Sequence, residues 1–151
     1  MVLNFRAANE ADLPALVNML ADDALGSKRE DASPPVNPLY ISAFNNIESD
    51  SNNELVVVEN DGNLVGMLQL TFIPYLSHLG SWRCLIESVR TQSQLRGKGL
   101  GTEFFKWAID RARQRNCKLV QLTSDKQRPQ AIQFYEKLGF RASHEGFKLK
   151  L

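Results

Sequence analysis

Apolar residues recur along this chain with two periods. Leu13, Leu16, Val17 and Leu20 fall at i, i+3, i+4 and i+7, which predicts a helix. Pro14 belongs in a first helical turn, so Asp12 is favoured over Asn9 as the N-cap. Ahead of this helix, Val2 to Ala7 reads as a short strand. Residues 22–37 carry Gly26, Ser27, Pro34 and Pro35 among several charges and read as a mobile loop of the kind that rims a site. Asn37-Pro38 opens a second helix, expected to run to about Ser49 and to be followed by a polar loop through Asn53.

Leu55 to Glu59 and Leu64 to Ile73 are strand-like, and Asn60-Asp61-Gly62-Asn63 between them is a hairpin turn. Pro74 to Ser81 is a loop holding Tyr75 and His78, Trp82 to Thr91 a further strand, and Gln92 to Gly99 a glycine-bearing turn. Leu100, Phe104, Trp107, Ala108 and Ala112 then form an apolar helical stripe opposite Glu103, Lys106, Asp110 and Arg113. Lys118 to Thr123 is a short strand. Pro129 to Leu138 is a helix with Gly139 as its C-terminal cap. Phe140 to Leu151 is expected to give one or two closing strands bent at Glu145-Gly146. The order β-α-α-β-β-β-α-β-α-β predicts an α/β (α+β) fold, a mixed sheet with helices packed on it. There is no internal repeat.

A length of 151 residues suits a single domain, residues 1–151, with one core. Eighteen Lys and Arg against seventeen Asp and Glu leave a net charge of +1, so nothing draws the chain broadly to nucleic acid or anionic membrane. No basic segment followed by an apolar stretch opens the sequence and no apolar run is long enough to span a bilayer, so a cytoplasmic protein is expected. Cys84 and Cys117 read as reduced, buried thiols. With no C-x-x-C, and with His78 far from His144, no metal site is expected.

The segment Gln94-Leu-Arg96-Gly97-Lys98-Gly99-Leu100-Gly101-Thr102 lies between a strand and an amphipathic helix. Glycines let the backbone approach a ligand, the first helical N–H groups lack intrahelical partners, and Arg96 and Lys98 add full charges. This is a phosphate cradle. The order of residues does not fit G-x-x-x-x-G-K-[ST]. The spacing G-x-G-x-G, with Gln121 and Leu122 some twenty residues on, does not fit a dinucleotide fingerprint. Arg96-x-x-Gly99-x-Gly101 and Gln94-x-x-Gly97-x-Gly99 both fit the acetyl-CoA pyrophosphate loop Q/R-x-x-G-x-G/A.

Downstream, Ala131-Ile-Gln-Phe134-Tyr135-Glu-Lys-Leu138-Gly139-Phe140 resembles the A-x-x-[FL]-Y-x-x-L-G-F segment of the GNAT N-acetyltransferases. Both motifs stand in that family's order and distance. The resemblance is good from Trp82 to Phe140, weaker from Val2 to Leu20, and absent from about 22 to 50. It implies a single N-acetyltransferase domain with a mostly antiparallel central sheet flanked by helices. It implies acetyl-CoA as co-substrate and no metal. The acceptor would be the amine of a small molecule or a peptide, with no nucleic acid or membrane partner. It also admits a homodimer, since members are often dimers.

The resemblance assigns residues too. The cofactor would lie on the backbone of Val89, Arg90 and Thr91 and on the loop Arg96, Gly97, Lys98, Gly99, Leu100, Gly101 and Thr102. Arg128 stands where the family often has Asn; it cannot copy the Asn contacts or capping role, but can reach a CoA phosphate. Tyr135 would be the general acid, against a plain reading as a core tyrosine packed with Phe134 and Leu138. Period-two alternation puts Glu87 on one face with Leu85, Val89 and Thr91, and a carboxylate among apolar neighbours suits a general base. The plain reading of Glu87 is a solvated strand residue. Two other function classes compete. One is a non-catalytic acyl-CoA sensor, which turnover would exclude. The other is a nucleic-acid module using the arginines from Arg90 to Arg115, which salt-dependent binding would reveal.

Overall fold

Asp61 and Gly62 both sit at positive φ, 51° and 76°, the combination a two-residue hairpin needs, and they join β2 (Asn53–Asn60) to β3 (Asn63–Pro74). This hairpin is the centre of the computed structural model, which describes residues 1–151. β1 (Leu3–Ala7) pairs with β2 and β4 (Trp82–Thr91) with β3, all antiparallel. β5 (Cys117–Gln121) runs parallel to β4 and closes the order β1-β2-β3-β4-β5.

The two faces of the sheet have different cores. On one, Leu16 and Met19 of α1 (Leu13–Ala21) pack on Val57 and Met67. On the other, α5 (Leu100–Gln114) lays Leu100, Phe104, Phe105, Ala108 and Ala112 over Val58, Leu68, Leu70, Phe72, Cys84 and Ile86. Gly66 lets α5 come this close, because a Cβ there would overlap the Phe104 ring. The remaining helices are α2 (Gly26–Arg29), α3 (Pro38–Ser49) and α6 (Gln130–Lys137), while α4 (Ser77–Gly80) is a single turn in which His78, Leu79 and Gly80 take positive φ. Gly139, at φ 98°, ends α6 in the left-handed conformation expected of a C-terminal glycine.

Four expectations need correction. The entry to α1 begins earlier than Asp12, with a 3-10 turn at Glu10–Asp12 that follows Asn9. The Asn9 N–H donates to the Asp12 carboxylate at 2.8 Å, so Asp12, which does hold the N-cap position of α1, spends its side chain on closing this turn and bonds no N–H of the helix. Residues 22–37 are not all loop, since α2 forms within them, braced by the Gly26 N–H donating to Asp23. In β4 the alternation breaks at Ser88, a bulge with φ 55° where the register against β3 shifts. Finally, residues 140–151 form no strand. They contain only a bend at His144, and no backbone hydrogen bond involves residues 141–151. A strand requires a paired neighbour, and this segment has none within the chain.

Candidate active site

β5 pairs with β4 only from Trp82 to Leu85, and ends at Gln121. Past that point Ile86 to Thr91 has lost its neighbour on the β5 side, leaving backbone N–H and C=O groups for a ligand with amide groups. At the end of β4 the chain turns through a 3-10 segment, Ser93–Leu95, into the glycine loop. Gly97 and Gly99 take φ of 77° and 81°, and a Cβ on either would meet no protein atom within 4 Å. Their conformation, and not crowding by the protein, is what calls for glycine. No N–H from Gly97 to Thr102 donates to a protein acceptor, and the first bond of the helix is Glu103 N–H to the Gly99 carbonyl at 3.5 Å. Six donors thus lie at the positive end of a fifteen-residue helix.

A cleft of about 480 Å³ runs along this region. Of the candidate residues it is lined by Val89, Thr91, Arg96, Gly97, Gly99, Leu100, Gly101, Thr102 and Tyr135, with Leu95, Phe105 and Phe134 beside them. Residues from β4, the loop, α5 and α6 are therefore brought to one place. The Tyr135 ring meets Phe105 at 5.4 Å, Phe134 at 5.4 Å and Phe140 at 6.1 Å, all edge-on. Burial raises the pKa of the Tyr135 phenol, against the opposing pull of Arg128 and Arg90. It is accordingly a proton donor at neutral pH.

Four candidates lie outside the cleft lining: Glu87, Arg90, Lys98 and Arg128. Because of the bulge at Ser88, Val89 packs into the α5-side core while Glu87, opposite Gln69, and Arg90, opposite Met67, face the α1 side. Glu87 therefore shares a face with Leu85 and Arg90, not with Val89 and Thr91. It is exposed and not ringed by apolar side chains. Arg90 lies under the loop after α1. Its Nη1 donates to the Val89 carbonyl at 3.0 Å, its Nη2 is 3.9 Å from Asp23, and its buried Nε has no partner. Arg128 Nη2 donates to the same Asp23 carboxylate at 2.8 Å. Burial works to raise the Asp23 pKa, but the Gly26 N–H, Arg128 and Arg90 outweigh it and hold the carboxylate below its usual range. Arg96 reaches the neighbouring Asp22, donating to its carbonyl at 2.7 Å.

Asp22, Asp23 and Phe105 escaped the sequence reading. The aspartates meet partners 74 and 105 residues away, and no local signal marks such pairing. Phe105 had a signal: adjacent phenylalanines on a helix imply that two faces are covered, here by the sheet and by α6. Tyr75 and His78 sit at the opposite end of β4 from the cleft, around Arg83, which lies 4.0 Å from the Tyr75 ring centre and 3.0 Å from His78 Nδ1.

Comparison with known proteins places this geometry. The model of the acetyltransferase (GNAT) family matches residues 15–140. An aminoalkylphosphonate N-acetyltransferase of Salmonella typhimurium (strain LT2) is 31% identical over 87 residues, 58% of this chain and 56% of the relative, so the match spans little more than half of either. A crystal structure described as a transcriptional regulator from Bacillus halodurans C-125 is 54% identical, with a TM-score of 0.95 over 99% of this chain and 100% of that one. An acetyltransferase from Trypanosoma brucei is 26% identical, with a TM-score of 0.78 over 99% and 100%.

Proposed function

The chain belongs to the acetyltransferase (GNAT) family, whose members are acetyl-CoA-dependent acyltransferases, and on that premise we propose that it moves the acetyl group of acetyl-CoA to the primary amine of a small, anionic acceptor. The observation that carries the reading is the cleft in which unpartnered loop N–H groups, the free edge of β4 and the Tyr135 phenol meet. These groups fit acetyl-CoA. The N–H groups of Gly97 to Thr102 suit its pyrophosphate, with Arg96 at the rim. The backbone of Val89, Arg90 and Thr91 suits the amides of its pantetheine arm, and the Val89 N–H the oxyanion formed at the thioester carbon.

In this reading the amine nitrogen attacks the thioester carbonyl from the α1 side of β4. Its proton leaves to Glu87, directly or through water. As the C–S bond breaks, Tyr135 gives its proton to the sulfur from the α5 side. Two guanidiniums, Arg90 and Arg128, converge on the single carboxylate of Asp23 on the α1 side. That pair of guanidiniums supports an acceptor bearing a phosphonate, phosphate or carboxylate, in line with what the Salmonella relative acts on.

Thiol release from acetyl-CoA, measured against aminoalkylphosphonates, amino acids, polyamines and uncharged amines, tests the proposal. Turnover with the anionic amines is expected, and failure with every amine would overturn it. The description of the Bacillus halodurans protein favours a second reading, a regulator that binds acyl-CoA without turning it over. Tight acetyl-CoA binding with no thiol release across the panel would support that reading instead.

A further inference from the structure

The fold takes the Arg90 guanidinium out of water without fully bonding it. Its side chain is only 14% exposed. Nη1 donates to the Val89 carbonyl at 3.0 Å, and the buried Nε has no partner. Buried polar groups in native structures are almost always bonded, so an orphaned one calls for an explanation. A guanidinium pairs best with an anion through two parallel N–H bonds. Nε and Nη2 form one such edge, and on Arg90 neither donates to a protein acceptor.

The carboxylate beside it cannot fill that edge. One oxygen of Asp23 accepts from the Gly26 N–H, and the other from Arg128 Nη2 at 2.8 Å. Arg90 Nη2 stands 3.9 Å from that second oxygen, beyond hydrogen-bond reach. Burial works against the Arg90 charge; Asp23 opposes it, and Arg128, Arg29 and Arg96 add to it. Asp23 is also placed to move. It lies between α1 and the four-residue α2, and no backbone hydrogen bond joins residues 22–30 to a distant segment. Side chains hold the segment instead, Arg96 at the Asp22 carbonyl and Arg128 at Asp23.

We propose that Asp23 is a built-in stand-in for the acceptor's anion. A tetrahedral oxyanion, phosphonate or phosphate, displaces the Asp23 carboxylate, takes the Nε–Nη2 edge of Arg90 and bonds Arg128 Nη2 as well. Three oxygens serve both guanidiniums at once. A free carboxylate uses both of its oxygens on the Arg90 edge and leaves Arg128 without one. The 22–30 segment gives way with Asp23, so the acceptor opens its own site. While Asp23 is in place the anion is excluded, which lowers its apparent affinity by the fraction of molecules still closed. This rests on the α1 side being the acceptor's side, as proposed above.

Methylphosphonate, which has the anion but no amine, tests this by calorimetry without turnover. CoA at saturation keeps the probe off the glycine loop. The parent is expected to bind methylphosphonate at least about tenfold more tightly than acetate. Asp23→Asn removes the competing charge and keeps an oxygen for the Gly26 N–H. It is expected to tighten methylphosphonate binding about three- to tenfold. Asp23→Ser, whose hydroxyl also accepts from an N–H three residues on, is expected to do the same, so the test does not hang on one variant folding. Arg90→Lys loses the two-bond edge and is expected to weaken binding about tenfold or more. Asp22→Asn removes an equal charge one residue away and should leave the affinity unchanged. Equal tightening by the Asp22 and Asp23 variants would reveal charge repulsion at a distance and overturn displacement. Weaker binding by folded Asp23 variants would mean that Asp23 holds the guanidiniums in place, and would overturn it too. So would acetate binding as tightly as methylphosphonate, or no binding of the probe to any form. Absence of thiol release with every amine would sink the catalytic reading and leave these affinities as they are.

Discussion

The two sides of β4 are built from different materials. The α5 side presents backbone N–H groups, glycines at positive φ and an aromatic cluster around Tyr135. The α1 side presents charges: Glu87, Arg90, and Asp23 with Arg128 attached. Backbone donors and aromatic rings are fixed by local conformation and suit a co-substrate shared by a whole family. A charge cluster drawn from distant segments can be changed one residue at a time, which suits an acceptor that differs between members. The bulge at Ser88 creates the division, turning Val89 to one side and Arg90 to the other.

The sharpest test of the α5 side is Tyr135→Phe, which keeps the ring and removes only the donor. Turnover is expected to fall by about 10²–10⁴-fold, the range for losing a general acid. Acetyl-CoA affinity and melting temperature should hardly move, because the aromatic packing remains. Burial keeps the phenol protonated above its usual range, so the parent enzyme should show no loss of the acid anywhere near neutral pH. Unchanged turnover in steady-state assays would reduce Tyr135 to a packing residue and leave this side with binding alone.

Gly99→Val should come next in size. Gly99 caps α5 at φ 81°, and a branched residue resists that conformation by about 1–2 kcal/mol. Its side chain would also enter the space in front of the unpartnered N–H groups. Acetyl-CoA affinity by calorimetry is expected to drop about 10–100-fold in a protein that still folds. Equal affinity would show that the loop does not hold the pyrophosphate.

How much of this was legible in the sequence follows the same division. The glycine loop and the Phe134-Tyr135 to Gly139-Phe140 segment could be read because each is a continuous stretch whose conformation its own residues dictate. Their meeting in one cleft follows from the strand-to-helix order. The ion pairs of Asp22 and Asp23 could not be read, since contacts across 74 and 105 residues leave no local periodicity. The face of Glu87 was misassigned for a subtler reason. A period-two argument assumes an unbroken strand, and nothing in Glu87-Ser88-Val89 announces that Ser88 takes φ 55°. The closing strands expected over 140–151 do not form, because alternation of side chains cannot supply the paired neighbour a strand needs.

Arg128→Ala probes the α1 side with a smaller effect. Its guanidinium is 2.8 Å from Asp23 and partly exposed. For an anionic acceptor KM is expected to rise about tenfold, as for the loss of one charge-assisted hydrogen bond, with kcat little changed. An uncharged amine should be indifferent to the substitution. A rise in KM that is the same for both acceptors would show that Arg128 orders the loop through Asp23 and does not read the acceptor's charge.

Glu87→Gln should have the smallest effect, and its pH dependence carries the information. The side chain is exposed, so solvent can take over part of its role, and the loss at neutral pH is expected to be about threefold, below the usual range for a general base. An alkyl amine acceptor has a pKa near ~10.4, so at pH 7 almost every acceptor molecule must shed a proton before it attacks. As pH rises towards that value the acceptor deprotonates unaided and a base becomes superfluous. The ratio of parent to variant kcat/KM should therefore shrink towards one between pH 7 and 10. A ratio that stays constant over that span would mean that Glu87 positions the acceptor without taking its proton. The α1 side would then supply binding only, and proton removal would fall to water.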